Sequence, residues 1–86
     1  MYFFYTLKSL KDNNLYFGYT SDLRRRFKEH NAGLVKSTKN REPLVLVYYE
    51  AYKSDIDARE RELQIKKRAK AHIGLKRRIK NSLIIN

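Results

Sequence analysis

The chain has no cysteine, no tryptophan, one proline and three glycines in 86 residues. Without cysteine there is no disulfide framework and no zinc-finger arrangement. The two histidines, His30 and His72, stand too far apart in the chain to form a metal-binding cluster by themselves. Apolar runs are short: the longest, Leu44 to Tyr49, is far below the length that crosses a bilayer. The opening MYFFYTLKS lacks the layout of a signal peptide. A cytoplasmic protein without membrane contact is therefore expected. Acidic residues are also scarce. Nine Asp and Glu face twenty Lys and Arg, a net charge of +11, and after Glu62 there are eight basic residues and no acidic one. That imbalance points to a polyanionic partner, nucleic acid before any other.

A hydrophobic fraction of 42% with seven tyrosines indicates a folded chain, and its length allows one small domain, 1–86, with a modest core. Tyr2 to Leu7 and Leu15 to Thr20 alternate as strands, and Asp12-Asn13-Asn14 suits the hairpin turn between them. Phe3, Tyr5 and Leu7 share one face. On the second strand Tyr16 and Gly18 lie opposite Leu15, Phe17 and Tyr19. Ser21 is placed to cap a helix that carries Asp22 in its first turn and ends near Asn31, with Gly33 available for a left-handed C-terminal cap. Residues 34–43 form a basic, hydroxyl-bearing loop in which Lys36, Ser37, Thr38, Lys39 and Arg41 all carry donors for phosphate oxygens. Leu44 to Tyr52 reads as a third strand. Ser54 caps a second helix running to about Lys67, and residues 70–85 read as a basic last helix with Leu75, Ile79 and Leu83 on one face. The expected fold is a single α+β domain, β-β-α-β-α-α, with a three-stranded, mostly antiparallel sheet flanked by helices. Its core is about 2–70 and its basic C-terminal helix about 70–85.

Two positions break the amphipathic pattern. On the first helix Leu23, Arg26, Phe27 and His30 recur at core spacing, so Arg26 and His30 are either snorkelling edge residues or a cationic site beside the second strand. On the second helix Glu62 lies along a stripe of Ala58, Ile65 and Ala69, whereas Glu60 faces elsewhere. A carboxylate on a packing face is costly without a partner. Hydrolysis of a phosphodiester needs a base for water, cations for the charge that develops on phosphorus, and stabilisation of the leaving oxygen. Two strand tyrosines with Arg26, His30 and Glu62 are the available groups. There is no Ser-His-Asp set, no phosphate-cradling glycine loop and no acid cluster for two metals. One metal ion, or none, is what this inventory permits.

These residues resemble the GIY-YIG nuclease superfamily, in particular its small stand-alone bacterial members. Tyr16-Phe17-Gly18 matches the second half-motif. Phe3-Phe4-Tyr5 keeps the tyrosine of the first but replaces its glycine. Arg26 to His30 matches an RxxxH on the first helix, STKNREPLVLVYYEAY the loop and third strand, and ARERELQIKK the glutamate-bearing helix. The resemblance implies a DNA endonuclease with Tyr5, Tyr16, Arg26, His30 and Glu62 in the catalytic site. Tyr16 would be the base, Arg26 would stabilise the scissile phosphate, His30 would assist a tyrosine, and Glu62 would hold one Mg²⁺ or Mn²⁺. Asn81 and Asn86 are the two candidates for a further polar site residue. Lys36, Lys39, Arg41, Lys66 and Lys67 are expected to contact phosphates of the nucleic acid, most simply DNA in repair or processing. The other reading is a basic DNA- or RNA-binding module with little or no cleavage.

Overall fold

The computed structural model describes residues 1–85. Strands β1 (Tyr2–Ser9), β2 (Leu15–Thr20) and β3 (Leu44–Tyr52) and helices α1 (Leu23–Asn31), α2 (Asp55–Lys67) and α3 (Ala69–Arg78) follow in the expected order, β1-β2-α1-β3-α2-α3. The sheet order is β2-β1-β3 and both pairings are antiparallel. The central strand β1 is the most buried of the three, with Phe4, Tyr5, Thr6, Leu7 and Ser9 all removed from solvent. Asn13 takes the left-handed conformation in the β1–β2 turn (φ 61°), and the Asp12 carboxylate accepts the backbone N–H of Asn14 at 2.8 Å. Short polar side chains supply this local bonding, which is why they occupy the turn.

Strand alternation gives the sheet two unlike faces. One carries Phe4 and Phe17, stacked with ring centroids 6.2 Å apart, and buries them under Ile65 of α2 and Leu75 and Ile79 at the α3 end. The other carries Tyr5, Leu7 and Leu44, against which Tyr16, Leu23, Phe27 and Leu46 pack. Helices α2 and α3 thus cover the first face and α1 the second.

The helix ends depart from the sequence expectation in two places. Asp22, not Ser21, caps α1: its Oδ1 accepts the Arg25 N–H at 3.1 Å. The Thr20 hydroxyl accepts the Asp22 N–H at 3.1 Å, turning the chain at the strand end and delaying the helix by one residue. At its other end Gly33 (φ 73°) closes α1, with its N–H on the His30 carbonyl and that of Leu34 on the Glu29 carbonyl, the paired bonds of a Schellman turn. Helix α3 stops at Arg78 instead of running to residue 85. Lys76, Arg77 and Arg78 complement the dipole of its last turn. Beyond it the chain forms turns, and Lys8 Nζ donates to the Leu83 carbonyl at 2.8 Å, holding the tail on β1. Ile79 and Leu83 still reach the core, so the apolar stripe survives the loss of the helix. The stripe on α2 is shorter than expected. Arg68 is extended (φ −114°, ψ 113°) and starts a new helix, leaving Ala69 exposed.

Ser54 caps α2 and Asp55 and Asp57 occupy its first turn, as expected. The helix is anchored by Ala58 and Ile65, both fully buried. Replacing Ile65 by Ala leaves a cavity under Phe4 and Phe17, and such a change should cost about 2–5 kcal/mol in urea unfolding. Ile73→Ala, at an exposed position of α3, should stay within about 0.5 kcal/mol.

Candidate active site

The site forms where β1, β2, α1 and the 34–43 loop meet. Tyr5 faces Gly18 across the β1–β2 ladder. A Cβ added at Gly18 would lie 2.4 Å from Tyr5 Cζ and Oη. The glycine therefore leaves the space in which the Tyr5 ring lies, a requirement of room and not of backbone conformation. Beyond it Tyr5 Oη meets His30 Nε2 at 2.8 Å, and His30 Nδ1 meets Thr38 Oγ1 at 2.7 Å. Tyr5, His30 and Thr38 are all buried. The Arg26 guanidinium, held by Glu29 at 3.1 Å, also lies against the Tyr5 hydroxyl. Because Arg26 can only donate, the Tyr5 proton goes to His30 Nε2, and the remaining ring N–H of the neutral imidazole points at Thr38.

Burial and the neighbouring charges set the ionisation of this group. Desolvation first, and the proximity of Tyr16 second, push the Tyr5 phenol up to about 12. Desolvation and the positive charge of Arg26 bring His30 down to about 4. Both are neutral at pH 7, and the buried chain holds no net charge.

Tyr16 is half-buried, its ring 6.4 Å from that of Tyr5 and 5.0 Å from the His30 imidazole, and its hydroxyl accepts from Ser37 Oγ at 3.3 Å. Helix α2 reaches this place past the β2 edge. Lys66 Nζ stands 5.7 Å from the centre of the Tyr16 ring and binds Glu62 Oε2 at 3.0 Å. The Glu62 charge is near enough to oppose ionisation of Tyr5. The structure thus brings Tyr5, Tyr16, Arg26, His30 and Glu62 together, with Lys66 among them. Glu60 is exposed.

The other cations separate by environment. Lys36 and Lys39 are exposed on the loop beside the tyrosines. Arg41 is engaged elsewhere: Nε and Nη2 bind Asp12 at 2.7 and 3.3 Å, which locks the loop to the hairpin turn and holds the Asp12 carboxyl down at about 2. Lys67 lies on the outer side of α2, in a groove with Glu60 and Asp57. Thr38, counted with the loop's phosphate donors on sequence, is instead fully buried on His30. No periodicity links positions 30 and 38, which is why that contact was not foreseen. Asn81 lies in the turns after α3, and Asn86 is outside the described residues.

A model of the GIY-YIG catalytic domain matches residues 1–80. The chain belongs to the GIY-YIG family. It is similar to a UPF0213 protein of Listeria welshimeri, 40% identical over 85 residues that cover 98% of this chain and 86% of that one. A second UPF0213 protein, from Staphylococcus haemolyticus, is 51% identical over 57 residues, 65% of this chain and 70% of the relative. The solution structure of a Bacillus halodurans UPF0213 protein has the same fold, with a TM-score of 0.54 and 32% identity across 92% of this chain and 87% of that one. The domain is that of a nuclease family, and the residues on which the sequence resembles that family, Tyr5, Tyr16, Gly18, Arg26 and His30, lie in the cluster described above.

Two outcomes test this geometry. Gly18→Ala forces the Tyr5 ring out of place, and overpacking of this kind should cost about 1–3 kcal/mol in urea unfolding. The second concerns pH. Unfolded, His30 takes up a proton near its ordinary value of 6.5, and folded only near 4. The folded state therefore has its full advantage above about pH 6.5 and loses about 3 kcal/mol of it as the pH falls towards 4. Urea midpoints across this interval should show the decline, and His30→Gln should flatten it.

Proposed function

We propose that this protein is a metal-dependent endonuclease that hydrolyses DNA phosphodiester bonds, with a role in DNA repair or processing. The observation that carries the reading is the Tyr5–His30–Thr38 chain buried beneath Tyr16, Arg26 and Glu62. A surface that only bound nucleic acid would need exposed cations, not a glycine that makes room for a buried phenol. The alternative of a basic nucleic-acid-binding module rests on charge alone, which both readings require.

The two tyrosines divide the work. Tyr5 is held protonated, donates to His30 and positions Arg26, so it orients. Tyr16 is the base that takes a proton from the attacking water, with Ser37 on its hydroxyl and the cation of Lys66 over its ring. Arg26 faces the scissile phosphate and offsets the charge that builds on its oxygens. Lys36 and Lys39 hold the flanking backbone as point charges.

Among the described residues no three His, Asp or Glu converge on one point. A single carboxylate suits Mg²⁺ or Mn²⁺, which keep water and substrate phosphate oxygens in their other positions. Glu62 fits that part. Its carboxylate is partly exposed at the site, and Lys66 is its one ion-pair partner among the described residues. Bound there, the ion would neutralise charge on the substrate phosphate.

Glu62→Gln keeps the side-chain volume and removes the charge. The variant should fold normally, bind DNA without metal as well as the wild type or better, and lose cleavage by several powers of ten. Glu60→Gln should change none of these. Assays on single-stranded, duplex and branched DNA and on RNA, with Mg²⁺ and Mn²⁺, read the outcome. Equal turnover in the two variants rules out Glu62 as the metal ligand, and absence of cleavage on every substrate supports the binding module.

A further inference from the structure

The basic run after Glu62 is not accounted for by the tyrosine site, which uses only Lys66 from it. Two adjoining grooves take up three more of its residues, Lys67, Arg68 and Lys76. One, of about 380 Å³, lies between the end of α2 and the start of α3, and its lining includes Lys66, Lys67, Arg68, His72 and Ile73. The other, of about 310 Å³, continues past His72 to Lys76, Lys8 and the β2 residues Leu15 and Phe17. His72 stands at the junction, its ring edge-on to Phe17 at 5.2 Å. Neither groove is lined by an acidic residue. The groove on the outer side of α2, which shares Lys67 and Arg68 with the first, contains Asp57 and Glu60, and that beside α1 contains Asp22.

Two of the cations along this path are already engaged, Lys66 with Glu62 and Lys8 with the Leu83 carbonyl. Arg68 and Lys76 are exposed and take part in no ion pair among the described residues. By contrast, Arg41, Arg59 and Arg61 are each paired with a carboxylate of the fold. The path starts at Lys66, beside Tyr16 and Glu62, and follows α3 for about 12 Å from Arg68 to Lys76. Unpaired positive charge in an acid-free groove suits a chain of phosphates, which it meets without reading bases.

We propose that this groove carries the phosphate backbone of the DNA strand as it leaves the tyrosine site, with Arg68 and Lys76 as its phosphate contacts. The proposal rests on the nuclease reading for its direction but not for its binding. It also gives Arg68 and Lys76 a role that core packing does not require.

The test uses the full chain with Arg68→Gln and Lys76→Gln, singly and together. As a control, Arg24→Gln with Lys28→Gln removes the same charge from the exposed side of α1. Binding of a fluorescent duplex oligonucleotide is measured without metal across a salt series. Each groove substitution should reduce the slope of log affinity against log salt by about 0.9, and the pair by about twice that. The control pair should leave it nearly unchanged. On long substrates the double variant should lose kcat/KM, while an oligonucleotide too short to reach α3 should be cut at the wild-type rate. If Arg68→Gln disturbs the α2–α3 joint, seen as a loss of helical circular dichroism, Lys76→Gln alone must still reduce the slope. An unchanged slope in the groove variants, or an equal fall in the control, overturns the proposal. If the variants show the predicted slope changes but the wild type cuts nothing, the groove stands and the nuclease reading is refuted.

Discussion

The position of one phenol constrains most of this small domain. Tyr5 lies on the central strand with its ring over a glycine of the neighbouring strand and its hydroxyl on a histidine from α1. Each contact restricts a different element. Gly18 fixes the register of the β1–β2 hairpin, because a one-residue slip would put a side chain under the ring. His30 fixes the rotation of α1, whose last turn must present the imidazole inward. Thr38 then ties the long loop to that helix through a hydrogen bond that has no access to water. Burying three polar side chains in a row is tolerable only because each satisfies the next. The same enclosure keeps both Tyr5 and His30 uncharged and leaves Arg26 as the cation facing outward.

The two sheet faces solve different problems. Beneath α2 and α3 the core is aromatic and aliphatic, and its one acid, Glu50, is fully engaged. Tyr48 donates to it at 2.7 Å, Tyr52 also donates, and Arg61 binds it at 3.0 Å while lying 5.9 Å from the centre of the Phe4 ring. Together these partners hold Glu50 ionised against its own desolvation, while burial first and the Glu50 carboxylate second push both phenols up to about 12. Tyr19, Asp55 and Arg59 make a similar set at the start of α2. These networks pin α2 to the sheet, so Glu62 and Lys66, one and two turns further on than Ala58, arrive at the β2 edge in a fixed position. Paired charges in this protein thus place the helices.

The elements were legible from sequence because each follows from a local pattern. The second and third strands and the end of α2 fall where alternation and the Ser54 cap put them, and the shared face of Arg26 and His30 follows from helical period alone. Three features were not legible. The α1 cap moved to Asp22 because the Thr20 hydroxyl, a strand residue, turns the chain first. The last helix ended early because Lys8, from the far side of the chain, holds the tail in turns. Thr38 became a partner of His30 through the path of a loop that carries no period. In every case a long-range contact or a competing short hydrogen bond overrode a local preference.

Positions 3 and 18 differ in what a side chain there meets. Gly18 has no freedom, since a single added carbon would overlap the Tyr5 ring. Position 3, where the first half-motif names a glycine, is different. Phe3 lies on the same face as Tyr5 but two residues back along the strand, and it packs edge-on against Tyr49 of β3 at 5.9 Å. That contact is on the β3 side of β1, whereas Tyr16 and the His30 contact lie towards β2 and α1. A side chain there meets another aromatic ring and displaces nothing in the Tyr5–His30–Thr38 chain. The loss of one glycine and the retention of the other thus follow from a single fact: only Gly18 lies under the buried phenol.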